Sequence, residues 1–146
     1  MYKCKYFSLK ELVSPAVYNH FGTFAWNFLD EGMLRDLDLL RELWKKPLII
    51  NNWQWGGTYK ESGFRCNQDS IVKEKKRPYC SAHCLGRGFD VKPEIIEDCK
   101  DLYKFIQLNY HKFGSISRLE DCKSAPTWCH IDNFGDRGNS IQIFRG

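Results

Sequence analysis

Two short stretches concentrate residues that bind metals. Tyr79-Cys80-Ser81-Ala82-His83-Cys84-Leu85-Gly86-Arg87-Gly88-Phe89-Asp90 places a histidine and an aspartate seven positions apart, with two glycines between them. Two glycines in three positions suit a tight backbone path, and Phe89-Asp90-Val91 reads as a short strand. Trp128-Cys129-His130-Ile131-Asp132 alternates apolar and polar residues like a strand and carries a second histidine. Imidazole nitrogen and carboxylate oxygen are both good zinc ligands. Two histidines plus one carboxylate leave a fourth position for water, which is the catalytic rather than the closed structural arrangement. One histidine alone is more often a hydrogen-bonded core residue, so the case for His83, Asp90 and His130 rests on their grouping.

The pattern Ser81-x-His83-x-x-Gly86-x-Gly88-x-Asp90, followed by Trp128-x-His130-x-Asp132, resembles peptidase family M15. These are the zinc D-alanyl-D-alanine carboxypeptidases and the related phage and bacterial peptidoglycan endopeptidases. Members often carry Ser-Gly-x-Arg upstream, here Ser62-Gly63-Phe64-Arg65. The resemblance runs from about Phe7 to Phe144 and is closest to the short phage-type members. It implies one zinc ion per chain at a sheet surface, the peptide part of peptidoglycan as substrate, and other phage virion proteins as partners. Two departures stand out. Gly88 occupies a position where alanine is common, and Thr127 stands where many members have the acidic general base.

Zinc on His83, Asp90 and His130 would lower the pKa of its water towards ~7 and polarise a scissile carbonyl. A carboxylate must then take the water's proton and pass it to the leaving amine. With Thr127 in place of the usual acid, the candidates for that role are Glu120 and Asp132. Glu120 ends a strand expected beside the Trp128 strand. Asp132 shares strand parity with His130, which equally suits a partner holding His130 from behind. Arg65 has a donor fork fitted to a carboxylate or peptide carbonyl, or to a structural ion pair. Trp53 and Trp55, in the loop Asn51 to Gly57, fit a substrate wall as well as a structural corner, and Trp128 is a further candidate for substrate binding. Ser81 is placed to bind substrate or orient a ligand.

The elements that must position these residues follow from periodicity. Ser8 and Glu11 form a capping-box pattern for a short helix, and Pro15 ends it or starts another turn. The aromatic span Tyr18 to Phe28 packs the N-terminal arm onto the domain. Asp30 caps a helix to about Lys45, with Met33, Leu34, Leu37, Leu40, Leu43 and Trp44 on the core face and Arg35, Asp36, Glu42 and Lys45 outside. Leu48 to Asn51 is a buried strand, and Cys66 to Tyr79 an exposed loop. Pro93 opens a second helix to about Tyr110, whose apolar face includes Ile95, Ile96 and Cys99. Ser115 to Glu120, Trp128 to Asp132 and Ser140 to Phe144 are strands. The expected fold is α+β over residues 1–146 as one domain: a small, mostly antiparallel sheet with two main helices packed on it.

With 146 residues, 42% of them hydrophobic and 15% aromatic, the chain can bury a real core. A formal charge of +4 is mild, and the run Lys73 to Arg77 reads as a solvated loop. Nucleic-acid binding through that run is the least favoured reading; it would show as steep salt dependence of DNA affinity. No stretch is long and apolar enough for a membrane helix, and no secretion signal is evident. The expectation is synthesis in a bacterial cytoplasm and action at the cell wall after delivery by a lysis system or virion. Seven cysteines then read as free thiols. Cys80, Cys84, Cys122 and Cys129 flank the two ligand stretches, so a closed four-thiol zinc site is the rival metal reading. The rival functional reading is a non-catalytic structural or cell-wall-binding module of a phage particle.

Overall fold

The computed structural model describes residues 1–146. The chain opens with α1 (Leu9–Leu12), whose capping box forms as expected: Ser8 and Glu11 satisfy one another's backbone groups. Pro15 is the first residue of α2 (Pro15–Phe21), capped by Ser14, and a 3-10 segment Gly22–Phe28 follows. Asp30 caps α3 (Glu31–Trp44) by accepting the Met33 N–H at 2.9 Å. Met33, Leu34, Leu37 and Leu40 of that helix are buried together.

Asp36 is a correction. It was expected outside but is only 4% exposed, because its carboxylate accepts the backbone N–H groups of Gly114, Ser115 and Ile116 at 2.7 to 2.8 Å. A charge buried this way serves backbone donors that would otherwise lack partners.

The five strands are β1 (Leu48–Ile49), β2 (Gly88–Pro93), β3 (Arg118–Glu120), β4 (Cys129–Asp132) and β5 (Gln142–Phe144). Their order across the sheet is β1-β2-β4-β3-β5. All neighbouring pairs are antiparallel except β3 and β5, which are parallel, so the sheet is mixed and largely antiparallel. The α+β class and the two main helices are as expected.

The second main helix, α5, differs in its start. Between the first strand and β2 lies one further short helix, α4 (Ser70–Lys73), and α5 spans Cys99–Leu108 rather than beginning at Pro93. Pro93 instead closes β2 opposite Leu48, at a strand end where its missing N–H costs little. Ile95 and Ile96 are consequently exposed rather than on the helix's buried face. α4 likewise interrupts the segment expected to be an exposed loop. Asp69 before it is buried, accepting from Ser14 Oγ and Cys66 N at 2.7 Å each.

The core lies between the sheet and α3 and α5, with Phe89, Val91, Leu119 and Ile131 from the strands facing Leu37, Leu40, Leu102 and Ile106. Alternation then sends Asp90, His130 and Asp132 to the opposite face of β2 and β4. No helix is long and apolar enough to cross a membrane.

Candidate metal centre

β2 and β4 pair so that Asp90 lies directly opposite His130. His83 arrives from a different element, the 3-10 turn Ala82–Leu85. That turn ends at Gly86 in the left-handed region, with φ +67°, and a side chain there would run into the Phe28 carbonyl. Glycine is therefore required both for conformation and for space. Gly88 explains a departure noted in the sequence: an added Cβ would stand 2.7 Å from the Ala82 Cβ, so alanine does not fit without movement of the His83 turn.

The three side chains converge. His83 Nε2 is 3.2 Å and His130 Nδ1 2.8 Å from Asp90 Oδ1, and the two nitrogens are 3.1 Å apart. One ligand atom from each residue lies within 4.8 Å of the others, so the group can hold a metal ion. Their partners fix which nitrogen is free. His83 Nδ1 is 2.9 Å from the Gly63 carbonyl, and His130 Nε2 is 2.9 Å from Asp132 Oδ2. Both partners are acceptors, so they take the N–H of each ring and leave the lone pairs of His83 Nε2 and His130 Nδ1 facing one another beside a carboxylate oxygen. A proton on His130 relieves part of this crowding. A divalent cation takes all three lone pairs at once.

The electrostatics agree with that reading. Burial drives the Asp90 carboxyl upward, but His83 and His130 reverse the shift and hold it well below the usual carboxylate range. Burial pushes His83 down, against the pull of Asp90. Burial also lowers His130, yet Asp132 and Asp90 outweigh it and raise the group to about 9. A metal ion would displace that proton, since imidazole ligates through a free lone pair.

The segment Ser62-Gly63-Phe64-Arg65 forms the back of the centre. The Ser62 carbonyl accepts the Asp90 N–H at 2.8 Å, Gly63 orients His83, and Arg65 Nη2 lies 3.5 Å from Asp90 Oδ2. Arg65 is 6% exposed and turned inward onto the ligand. Asp132 is fully buried and committed. Arg118 grips it with two bonds of 2.7 Å, the Phe134 N–H donates to it at 3.0 Å, and His130 takes its other side. Both oxygens being engaged, Asp132 sits behind His130 as the partner that orients it and has no lone pair left to serve as a base.

Glu120 ends β3, half-buried, with Gly146 packed beside its carboxylate. Arg118 and Asp132 bond across the β3–β4 pair, so alternation puts Glu120 and His130 on that same face. Trp128 and Thr127 line a cavity of about 910 Å³ that also reaches Asp90. Trp53 is held as a structural corner, its Nε1 donating to the Val13 carbonyl at 3.1 Å. Ser81 precedes the His83 turn, and its hydroxyl meets Cys84 Sγ at 3.5 Å. The thiols do not assemble into a metal site: Cys80 is exposed, while Cys129 faces Cys99 at 4.0 Å in the core.

Sequence reasoning missed Arg118, the hold of the Gly63 carbonyl on His83, and Phe144, whose ring packs 5.6 Å from the His130 ring. Strand parity from Glu120 would have found Arg118; the other two depend on long-range packing. Arg118→Met is expected to weaken the affinity of the cluster for a divalent metal ion about 10- to 100-fold by loosening Asp132 and hence His130. Chelator competition measures this, and unchanged affinity would contradict the role given to Arg118.

Comparison of the chain with protein-family profiles, with curated proteins and with solved structures finds no match.

Proposed function

We propose that this chain is a zinc peptidase that hydrolyses the peptide part of bacterial peptidoglycan, encoded by a phage for lysis or cell entry. The observation that carries the reading is the convergence of His83 Nε2, Asp90 Oδ1 and His130 Nδ1, with each imidazole locked by an acceptor on its far nitrogen. Two nitrogens and one carboxylate are a donor set suited to zinc, and three protein ligands leave room for water. Zinc bound there would supply an activated water and polarise the scissile carbonyl.

The chain's own residues divide the remaining tasks. Gly63, Asp132 and Arg118 hold the imidazoles in the ligating orientation, and Arg65 holds Asp90. Glu120, on the His130 face, takes the water's proton and returns it to the leaving amine. Trp128 lines the cavity beside Asp90 and offers a flat apolar wall to the substrate. Peptide-bond cleavage then requires the substrate to lie in that cavity with its carbonyl against the His83–Asp90–His130 cluster.

The runner-up is a non-catalytic module of a phage particle that keeps the metal for stability. It is favoured by Thr127, which lines the cavity where the resembled peptidases carry an acid. Incubation of purified peptidoglycan with the zinc-loaded protein separates the two. The peptidase reading expects new amino termini, suppressed by a chelator and restored by zinc. Zinc-loaded protein that releases none would leave only the structural module.

A further inference from the structure

Two thiols meet in the core, on the side of the sheet away from the metal centre. Cys129 precedes His130 on β4, so alternation turns its side chain to the opposite face from the imidazole. Cys99 is the first residue of α5, which packs over that face. Their sulfurs lie 4.0 Å apart, and Cys129 Sγ is also 3.7 Å from the Cys99 carbonyl oxygen. Both are buried, Cys129 at 1% and Cys99 at 3% exposure.

A disulfide holds its sulfurs at about 2.05 Å, so closure by about 2 Å would join this pair. That is less than the swing of a sulfur between staggered χ1 rotamers. A route in exists as well. Glu94 to Glu97, the segment just before Cys99, is exposed, so a small reagent approaches from the start of α5. The first turn of a helix also favours the thiolate, which is the form that attacks. The other thiols are placed differently: Cys80 is exposed, and Cys122 is half-buried beyond the end of β3.

We infer that Cys99 and Cys129 are an oxidation site, at which a small-molecule disulfide forms an intramolecular bond fastening the metal-ligand strand β4 to α5. The Cys99 thiolate attacks one sulfur of the reagent, giving a mixed disulfide and releasing one thiolate. The Cys129 thiolate then attacks Cys99 Sγ and expels the second. Two protein sulfurs are oxidised, the two sulfurs of the reagent are reduced, and the two thiol protons pass to the released thiolates. The bond closes a loop between residues 30 positions apart, which includes β3 with Arg118 and Glu120. Cross-linking a loop of that length restricts the unfolded chain and stabilises the fold. β4 is then held from the core side by sulfur and from the other side by the grip of Arg118 on Asp132. The inference does not depend on the peptidase reading. A chain delivered to the cell wall would pass from a reducing compartment to one where such bonds persist.

The test is incubation of the full chain, purified in reductant, with oxidised glutathione, followed by peptide mapping without reduction. The expected product is a linked pair of peptides containing Cys99 and Cys129. The Tm of the oxidised protein should rise by roughly 5–15 °C and return to the starting value when reductant is added. Cys122→Ala should keep both the linkage and the rise, whereas Cys99→Ala and Cys129→Ala should lose both. Where Cys129→Ala fails to fold, Cys99→Ala decides. Glutathione attached to Cys80 while Cys99 and Cys129 stay reduced would overturn the site, since buried thiols would then be acting only as small apolar residues. So would a linkage made through Cys122. A Cys99–Cys129 bond without a rise in Tm would overturn the fastening of β4 to α5.

Discussion

Replacing Asp90 with alanine is expected to abolish metal binding and to cost about 3–5 kcal/mol of folding stability even in metal-free buffer. Two separate losses combine. The first is a ligand: Asp90 Oδ1 is the atom to which both imidazoles point. The second is the counter-charge of a buried guanidinium. Arg65 is 6% exposed, its Nε already lacks a partner, and Asp90 is the one acidic group its Nη2 reaches, at 3.5 Å. Truncating the carboxylate strands that charge in the interior, which is worse than never having built the pair. Urea unfolding of both proteins in chelator measures the second effect apart from the first. Equal midpoints would mean that Arg65 finds water or another partner, and that the backing assigned to Arg65 is wrong.

Under the proposed peptidase function, Glu120→Gln is expected to lower the rate of peptide hydrolysis about 10²- to 10⁴-fold while leaving metal content and KM nearly unchanged. Glutamine keeps the size and hydrogen-bonding shape of the side chain but has no basic oxygen to accept the water's proton. Glu120 belongs to none of the ligand contacts, so its loss should not disturb the metal. Parallel measurement of zinc content and of kcat on a soluble peptide separates the two quantities. A variant with full activity would return the base role to water or to another group, and one that loses its zinc would make Glu120 part of the centre itself.

Much of this centre could be read from local pattern. Alternation along Trp128 to Asp132 placed His130 and Asp132 on one face, and the pairing of β2 with β4 then set Asp90 opposite His130. The capping signals at Ser8 and Asp30 and the apolar stripe of α3 are equally local, and they hold in the fold. What local pattern could not reveal depends on residues far apart in the chain. Asp36 looked like a solvent-facing helix residue because its backbone partners, Gly114 to Ile116, arrive some eighty positions later. Asp132 looked as suited to proton transfer as to support, and only the grip of Arg118 decides for support. Pro93 illustrates an ambiguity of a different kind. Its fixed φ suits a helix start and a strand end alike, and pairing with Leu48 selects the strand.

The most direct test of the account is the zinc content of the purified protein beside that of His83→Ala. His83 is the ligand best suited to this, because its far nitrogen is held by a backbone carbonyl and not by a charge, so its removal strands no ion. About one zinc per chain is expected in the wild type and essentially none in the variant. Zinc retained by His83→Ala, or absent from both proteins, would contradict the central claim that His83, Asp90 and His130 form a metal site.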